Sequence, residues 1–132
     1  MTTPFPVLSI FDSLSLQKKV AEKWVSTKSH SENQKEKKFN ISQNKKIKLG
    51  YFSSDFKNHA TSYLAVELFE LHNKDKFEIY AFSFGPQRND EMRVRLTKAF
   101  NKFIEVGNQS DSNVVKLSRE LGIDIAVDLK GF

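Results

Sequence analysis

Residues 48–64 read KLGYFSSDFKNHATSYL, and the rest of the chain can be organised around them. Ile47, Leu49 and Tyr51 alternate as in a short apolar strand. A polar turn follows that holds Ser53, Ser54, Asp55, Asn58 and His59, and a helix opens at Thr61 or Ser62. A strand, a polar turn and a helix in that order make the first step of an open α/β sheet. In such sheets ligands are met at the carboxyl ends of the strands, where backbone N–H groups and side chains converge. A histidine in that turn, flanked by small hydroxyl residues, is a candidate for proton transfer.

Working outward, the pattern repeats. The helix predicted over 61–72 carries Leu64, Leu68 and Leu71 at the spacing of one face, read here as the buried face. Residues 77–84 (FEIYAFSF) form a second strand closed by Gly85-Pro86. A second helix starts at Asn89 or Asp90, either of which can cap it, and buries Met92, Leu96 and Ala99. Residues 102–106 make a short third strand. Ser110 or Asp111 caps a third helix with Val114, Leu117 and Leu121 inward, and 123–129 (IDIAVDL) is the fourth strand. Strands separated by helices imply right-handed parallel crossovers and a doubly wound parallel sheet. Ahead of this region, 13–25 reads as an amphipathic helix with Leu16, Val20 and Trp24 on one face. The expected division is therefore a helical connector over 1–27, a linker over 28–46 and an α/β domain over 47–132.

The net charge is local. Between residues 28 and 48 seven lysines stand against two glutamates, a balance of +5, which equals the net charge of all 132 residues. Interleaved Ser, Asn and Gln make this segment a solvated spacer. The other reading, a basic arm for nucleic acid or acidic lipid, lacks an aromatic stacking platform or a helical basic stripe. Nucleic acid and membrane are accordingly not expected partners. The chain has no cysteine, so disulfides and thiolate metal sites are excluded, and His30, His59 and His72 are scattered. No apolar run approaches the roughly 18 residues of a membrane helix. The N-terminus lacks the pattern of a signal peptide, and cytoplasm is the expected location.

Several stretches, taken in order, resemble glycosyltransferase family 41, the O-linked N-acetylglucosamine transferases and their SPINDLY-like relatives. They are GYFSSDFKNH (50–59), FELHNKDKFEIYAFSFGP (69–86), DEMRVRL (90–96), FIEV (103–106) and GIDIAVDLKGF (122–132). Residues 4–24 resemble the connector preceding the catalytic region of bacterial members. Ala60 departs from the pattern, which usually has proline after the histidine, and leaves the turn without that rigid residue. The resemblance implies the N-terminal Rossmann-like half of a GT-B type glycosyltransferase. It also implies inverting transfer of N-acetylglucosamine or a related sugar from a UDP-sugar to Ser/Thr hydroxyls of acceptor proteins, with no metal or other cofactor. The family continues beyond the fourth strand into a second half that holds most of the nucleotide sugar. The chain is therefore expected to be a fragment or split subunit, inactive alone.

The resemblance places His59 at the family's histidine, as proton acceptor or positioner of the acceptor. From the residues alone, His59 also reads as a surface or capping histidine. Asp55 can bond backbone N–H groups of its turn. Ser54 and Thr61, with Ser53 and Ser62, can cap the helix. Asn58 belongs to the same turn. Asp124 and Asp128 share a face of the last strand, with Asp128 nearer its carboxyl end, and Lys130 can approach a phosphate. The glycines form no GxGxxG cradle, so an independent dinucleotide site is not expected. A receiver-like signalling domain would need clustered acidic residues after the first strand, where Asp55 stands alone. A non-catalytic α/β module that docks a separate nucleotide-sugar half is the remaining alternative.

Overall fold

A computed structural model describes residues 3–28 and 46–131. The chain divides into two compact units, 1–38 and 39–132. Apart from its first and last residues, the lysine-rich segment lies outside the described residues.

The first unit contains α1 (Phe5–Ile10) and α2 (Leu14–Lys28). The short α1 was not expected from the sequence. Its six residues are too few for a periodic signal, and it begins directly after Pro4, whose fixed φ suits a helix start. Of the expected face of α2, Val20 and Trp24 are half-buried while Leu16 is exposed.

The second unit is the α/β domain. Its elements are β1 (Ile47–Ser53), α3 (Ala60–Leu71), β2 (Phe77–Ser83), α4 (Glu91–Ala99), β3 (Lys102–Glu105), α5 (Asp111–Glu120) and β4 (Ile125–Asp128). All strand pairs are parallel and the order is β3-β2-β1-β4. The alternation of β1 explains the two layers. Leu49 and Tyr51 point to one face, where they join Val66 and Phe69 of α3 and Met92, Leu96 and Ala99 of α4. Gly50 and Phe52 point to the other. There Tyr80, Phe82, Val106 and Ile123 pack with Val114 and Leu117 of α5. The crossovers switch faces after β3, so the sheet is doubly wound. Gly50 has no room for a side chain, since a Cβ would stand 3.0 Å from Ile123 and 3.1 Å from Phe82.

One expectation is overturned. Leu64, Leu68 and Leu71 of α3 are exposed by 86%, 56% and 80%, and the buried stripe is Ser62, Val66 and Phe69. Both stripes have the same spacing. The buried one begins with a serine because the Ser62 hydroxyl donates to the Asp55 carbonyl oxygen (2.6 Å), which pins the helix start to the preceding turn.

Candidate functional site

The order β3-β2-β1-β4 puts the topological switch point between β1 and β4. The chain leaves β1 toward one edge and returns beside it as β4, so two turns diverge there at the carboxyl ends. The turn after β1 carries Ser54, Asp55, Asn58 and His59, and the turn after β4 carries Lys130. These are the places where an open α/β sheet meets ligands.

Asp55 lies at the centre and is buried. Its backbone N–H donates to Ser53 Oγ (3.0 Å), and its carbonyl oxygen accepts from Ser62 Oγ and from the Lys57 N–H (2.7 Å). Ser54 Oγ donates to Oδ1 (3.2 Å), and Lys130 Nζ donates to Oδ2 (2.9 Å) from the turn after β4. Burial pushes the carboxyl up. The Lys130 and Ser54 hydrogen bonds and the charges of His59 and Lys130 outweigh it, and Asp55 titrates below its usual range.

His59 is the N-cap of α3, with extended backbone, and its Nδ1 accepts from the Thr61 N–H (3.2 Å). The capping reading is thus correct as far as it goes. A ring nitrogen that accepts carries no proton, so the neutral ring in this arrangement has its hydrogen on Nε2. Asp55 Oδ2 lies 4.0 Å from the same Nδ1, beyond hydrogen-bond reach.

The other candidates take lesser places. The Asn58 N–H donates to Asp90 Oδ2 (3.0 Å), while Asp90 Oδ1 caps α4 by accepting from the Arg93 N–H (2.8 Å). These two backbone bonds, Asn58 first, hold the Asp90 carboxyl below its ordinary value and tie the histidine turn to α4. Thr61 serves through its N–H. Asp128 Oδ1 accepts from the Lys130 N–H (2.8 Å) and so shapes the turn that aims the lysine. Asp124 and Asp128 do not act as a pair. Four residues separate them by about 13 Å, and Asp124 Oδ2 accepts from the Lys48 N–H at the amino end of the neighbouring β1. Lys130, read as able to approach a phosphate, is engaged with Asp55 in this structure.

Sequence reasoning missed Arg93. Its guanidinium is buried beneath the site, donates from Nη1 to the Phe56 carbonyl oxygen (2.7 Å) and Ser83 Oγ (3.1 Å), pairs with Glu105 and lies over the Phe103 ring. It thereby joins the turn after β1 to the carboxyl ends of β2 and β3. Burial lowers its affinity for the proton. Its position within DEMRVRL, directly after the inward Met92, gave the available hint. Gly85 adds a close approach: a Cβ there would lie 2.0 Å from the Ser54 carbonyl oxygen. An open cleft of about 460 Å³ flanks the histidine turn, lined by Lys57, Asn58, Arg88, Asn89 and Asp90. Among the described residues no group of acidic, histidine or cysteine side chains is disposed to hold a metal ion.

The sequence model of glycosyl transferase family 41 matches residues 14–132. The chain belongs to glycosyl transferase family 41. A relative, the probable UDP-N-acetylglucosamine–peptide N-acetylglucosaminyltransferase SEC of Arabidopsis thaliana, is 31% identical over 88 residues. That alignment covers 67% of this chain and 9% of the relative. A UDP-N-acetylglucosamine–peptide N-acetylglucosaminyltransferase of Caenorhabditis elegans is 22% identical over 96 residues, covering 72% of this chain and 8% of the other. A solved structure of a Thermobaculum terrenum O-GlcNAc transferase variant superposes with a TM-score of 0.62 and 30% identity, over 65% of this chain and 16% of that one. This family 41 chain therefore spans about a tenth or less of these curated relatives. Its parallel sheet with helices on both faces is the α/β arrangement of that neighbour. Among the described residues no helix is long and apolar enough to cross a membrane.

Proposed function

We propose that this chain forms the first Rossmann-like half of the catalytic region of a protein O-glycosyltransferase. The reaction is transfer of N-acetylglucosamine, or a related sugar, from a UDP-sugar to a serine or threonine hydroxyl of a protein, with inversion. Membership of family 41 supports the reaction class. The observation that carries the site is the convergence of His59, Asp55 and Lys130 at the switch point.

A hydroxyl is a weak nucleophile because it holds its proton tightly. A group that bonds the hydroxyl in the transition state lowers that barrier. His59 is that group in our reading. With hydrogen on Nε2 it can donate to an acceptor or sugar oxygen and hold it in place, and after a change of tautomer the same nitrogen can take the proton. Attack of the hydroxyl oxygen on the anomeric carbon displaces the nucleoside diphosphate, whose negative charge needs cations or N–H donors. We assign most of that task to a second catalytic half, and assign no step to a metal. The open cleft beside Asn58 lies next to the histidine turn and suits the acceptor side.

The test is sugar transfer to a Ser/Thr peptide by the chain combined with the second catalytic half. His59→Ala should lower turnover by on the order of 10²-fold with UDP-sugar affinity little changed. Because His59 also caps α3, the alanine should cost about 1 kcal/mol of stability, which His59→Asn should restore without restoring turnover. Full turnover in both variants would remove His59 from the reaction.

A further inference from the structure

The carboxylate of Asp55 is held far more firmly than the two groups that compete for it. Its backbone and Oδ1 are fixed by Ser53, Ser54, Lys57 and Ser62, and its side chain is only 9% exposed. Lys130 is anchored by its own N–H on Asp128, but its side chain is 49% exposed and reaches Asp55 through a long flexible stem. The His59 side chain is 42% exposed. Its Nδ1 has two neighbours, the Thr61 N–H at 3.2 Å and Asp55 Oδ2 at 4.0 Å. Among the described residues Nε2 has no hydrogen-bond partner. The Thr61 N–H requires a lone pair on Nδ1, whereas Asp55 would require a hydrogen there. A ring movement of about 1 Å separates the two arrangements.

We infer that Asp55 and Lys130 are positioning residues that set which nitrogen of His59 carries the proton. While Lys130 occupies Oδ2, the carboxylate is neutralised and His59 stays a cap with hydrogen on Nε2. When the ammonium is drawn away, as an anionic oxygen of a diphosphate would draw it, Oδ2 becomes free. The ring then loses the Nε2 proton to water, gains one at Nδ1 that it donates to Asp55, and is left with a lone pair on Nε2. The pair thus turns His59 from a donor into a base only when the cation has found another anion. This rests on the reading of His59 as the transfer histidine, but it is tested without measuring transfer, so the two can fail separately.

The experiment is ¹H–¹⁵N correlation NMR of the imidazole rings in the isotopically labelled 132-residue chain, recorded where the ring is neutral, with His59→Asn identifying the signals. In the unaltered chain the proton-bearing nitrogen of His59 should be Nε2. In Lys130→Gln it should move to Nδ1, and in Asp55→Asn/Lys130→Gln it should return to Nε2. Lys130→Met, which keeps the packing of the stem, serves if the glutamine variant does not fold. An unaltered chain already protonated at Nδ1, or a folded lysine variant still protonated at Nε2, overturns the inference. So does failure of both lysine variants to fold, because the ion pair would then serve the fold and not the ring.

Discussion

At the scale of single residues, Asp55 links stability to the site. Its carboxyl titrates below the usual value of 3.8, so the folded chain binds this proton less readily than the unfolded chain does. The stabilisation from its Lys130 and Ser54 bonds is complete above that value and is lost as pH falls through the depressed one. Asp55→Asn should therefore be less stable than the unaltered chain at neutral pH, and the difference should shrink as pH falls below about 4. Denaturant titrations across that range would show it, and a gap independent of pH would contradict it. Arg93 makes a different kind of contribution. Arg93→Met keeps much of the apolar contact with Phe103 but leaves the Phe56 carbonyl and Glu105 without their partner. A loss of about 2–3 kcal/mol is expected, less than for a fully buried pair because the Glu105 side chain is 37% exposed. The midpoint of chemical unfolding measures it. The sequence placed His59 and Asp55 together because one turn holds both. It could not pair Asp55 with Lys130, 75 positions away, or Arg93 with Phe56, because those contacts exist only once parallel registers are set.

At the scale of elements, strands and helices were legible because apolar alternation and helical spacing report burial directly. Apart from α1, each lies within a few residues of its expected bounds. The orientation of α3 was not legible. ATSYLAVELFEL holds two stripes of equal spacing, and the more apolar one faces outward. A hydrogen bond from Ser62 to the turn, invisible to periodicity, decides the rotation of the helix. The outward leucines give a test. Replacing Leu64, Leu68 and Leu71 by lysine should leave the melting temperature within about the 0.5 kcal/mol scatter of surface substitutions, while binding of a hydrophobic dye should drop markedly. A cooperative loss of structure in that variant would show that the leucines belong to the core. By contrast, α4 and α5 turned their expected residues inward.

At the scale of the whole α/β domain, β1 and β2 are central while β3 and β4 stand at the edges among the described strands. On β4, Ile125 is 48% exposed and Asp128 is also open to water. An edge strand with an exposed isoleucine is a template for further pairing. The 132-residue chain should therefore self-associate as its concentration rises, and Ile125→Lys should suppress this without unfolding it. Sedimentation velocity over a concentration series decides, and a chain that stays monomeric throughout would refute the expectation. The same arrangement also fixes an order in time. β2 joins β1 across one short helical crossover, but β4 joins it only after α3, β2, α4, β3 and α5 have been made, and Asp124 meets Lys48 across 76 positions. Closing so long a loop is slow, and during synthesis it must wait for the whole intervening chain. A three-stranded intermediate with an apolar core on one face can precede it. The ammonium of Lys130 then arrives with the last of the described strands, so the histidine turn forms first with its aspartate not yet ion-paired.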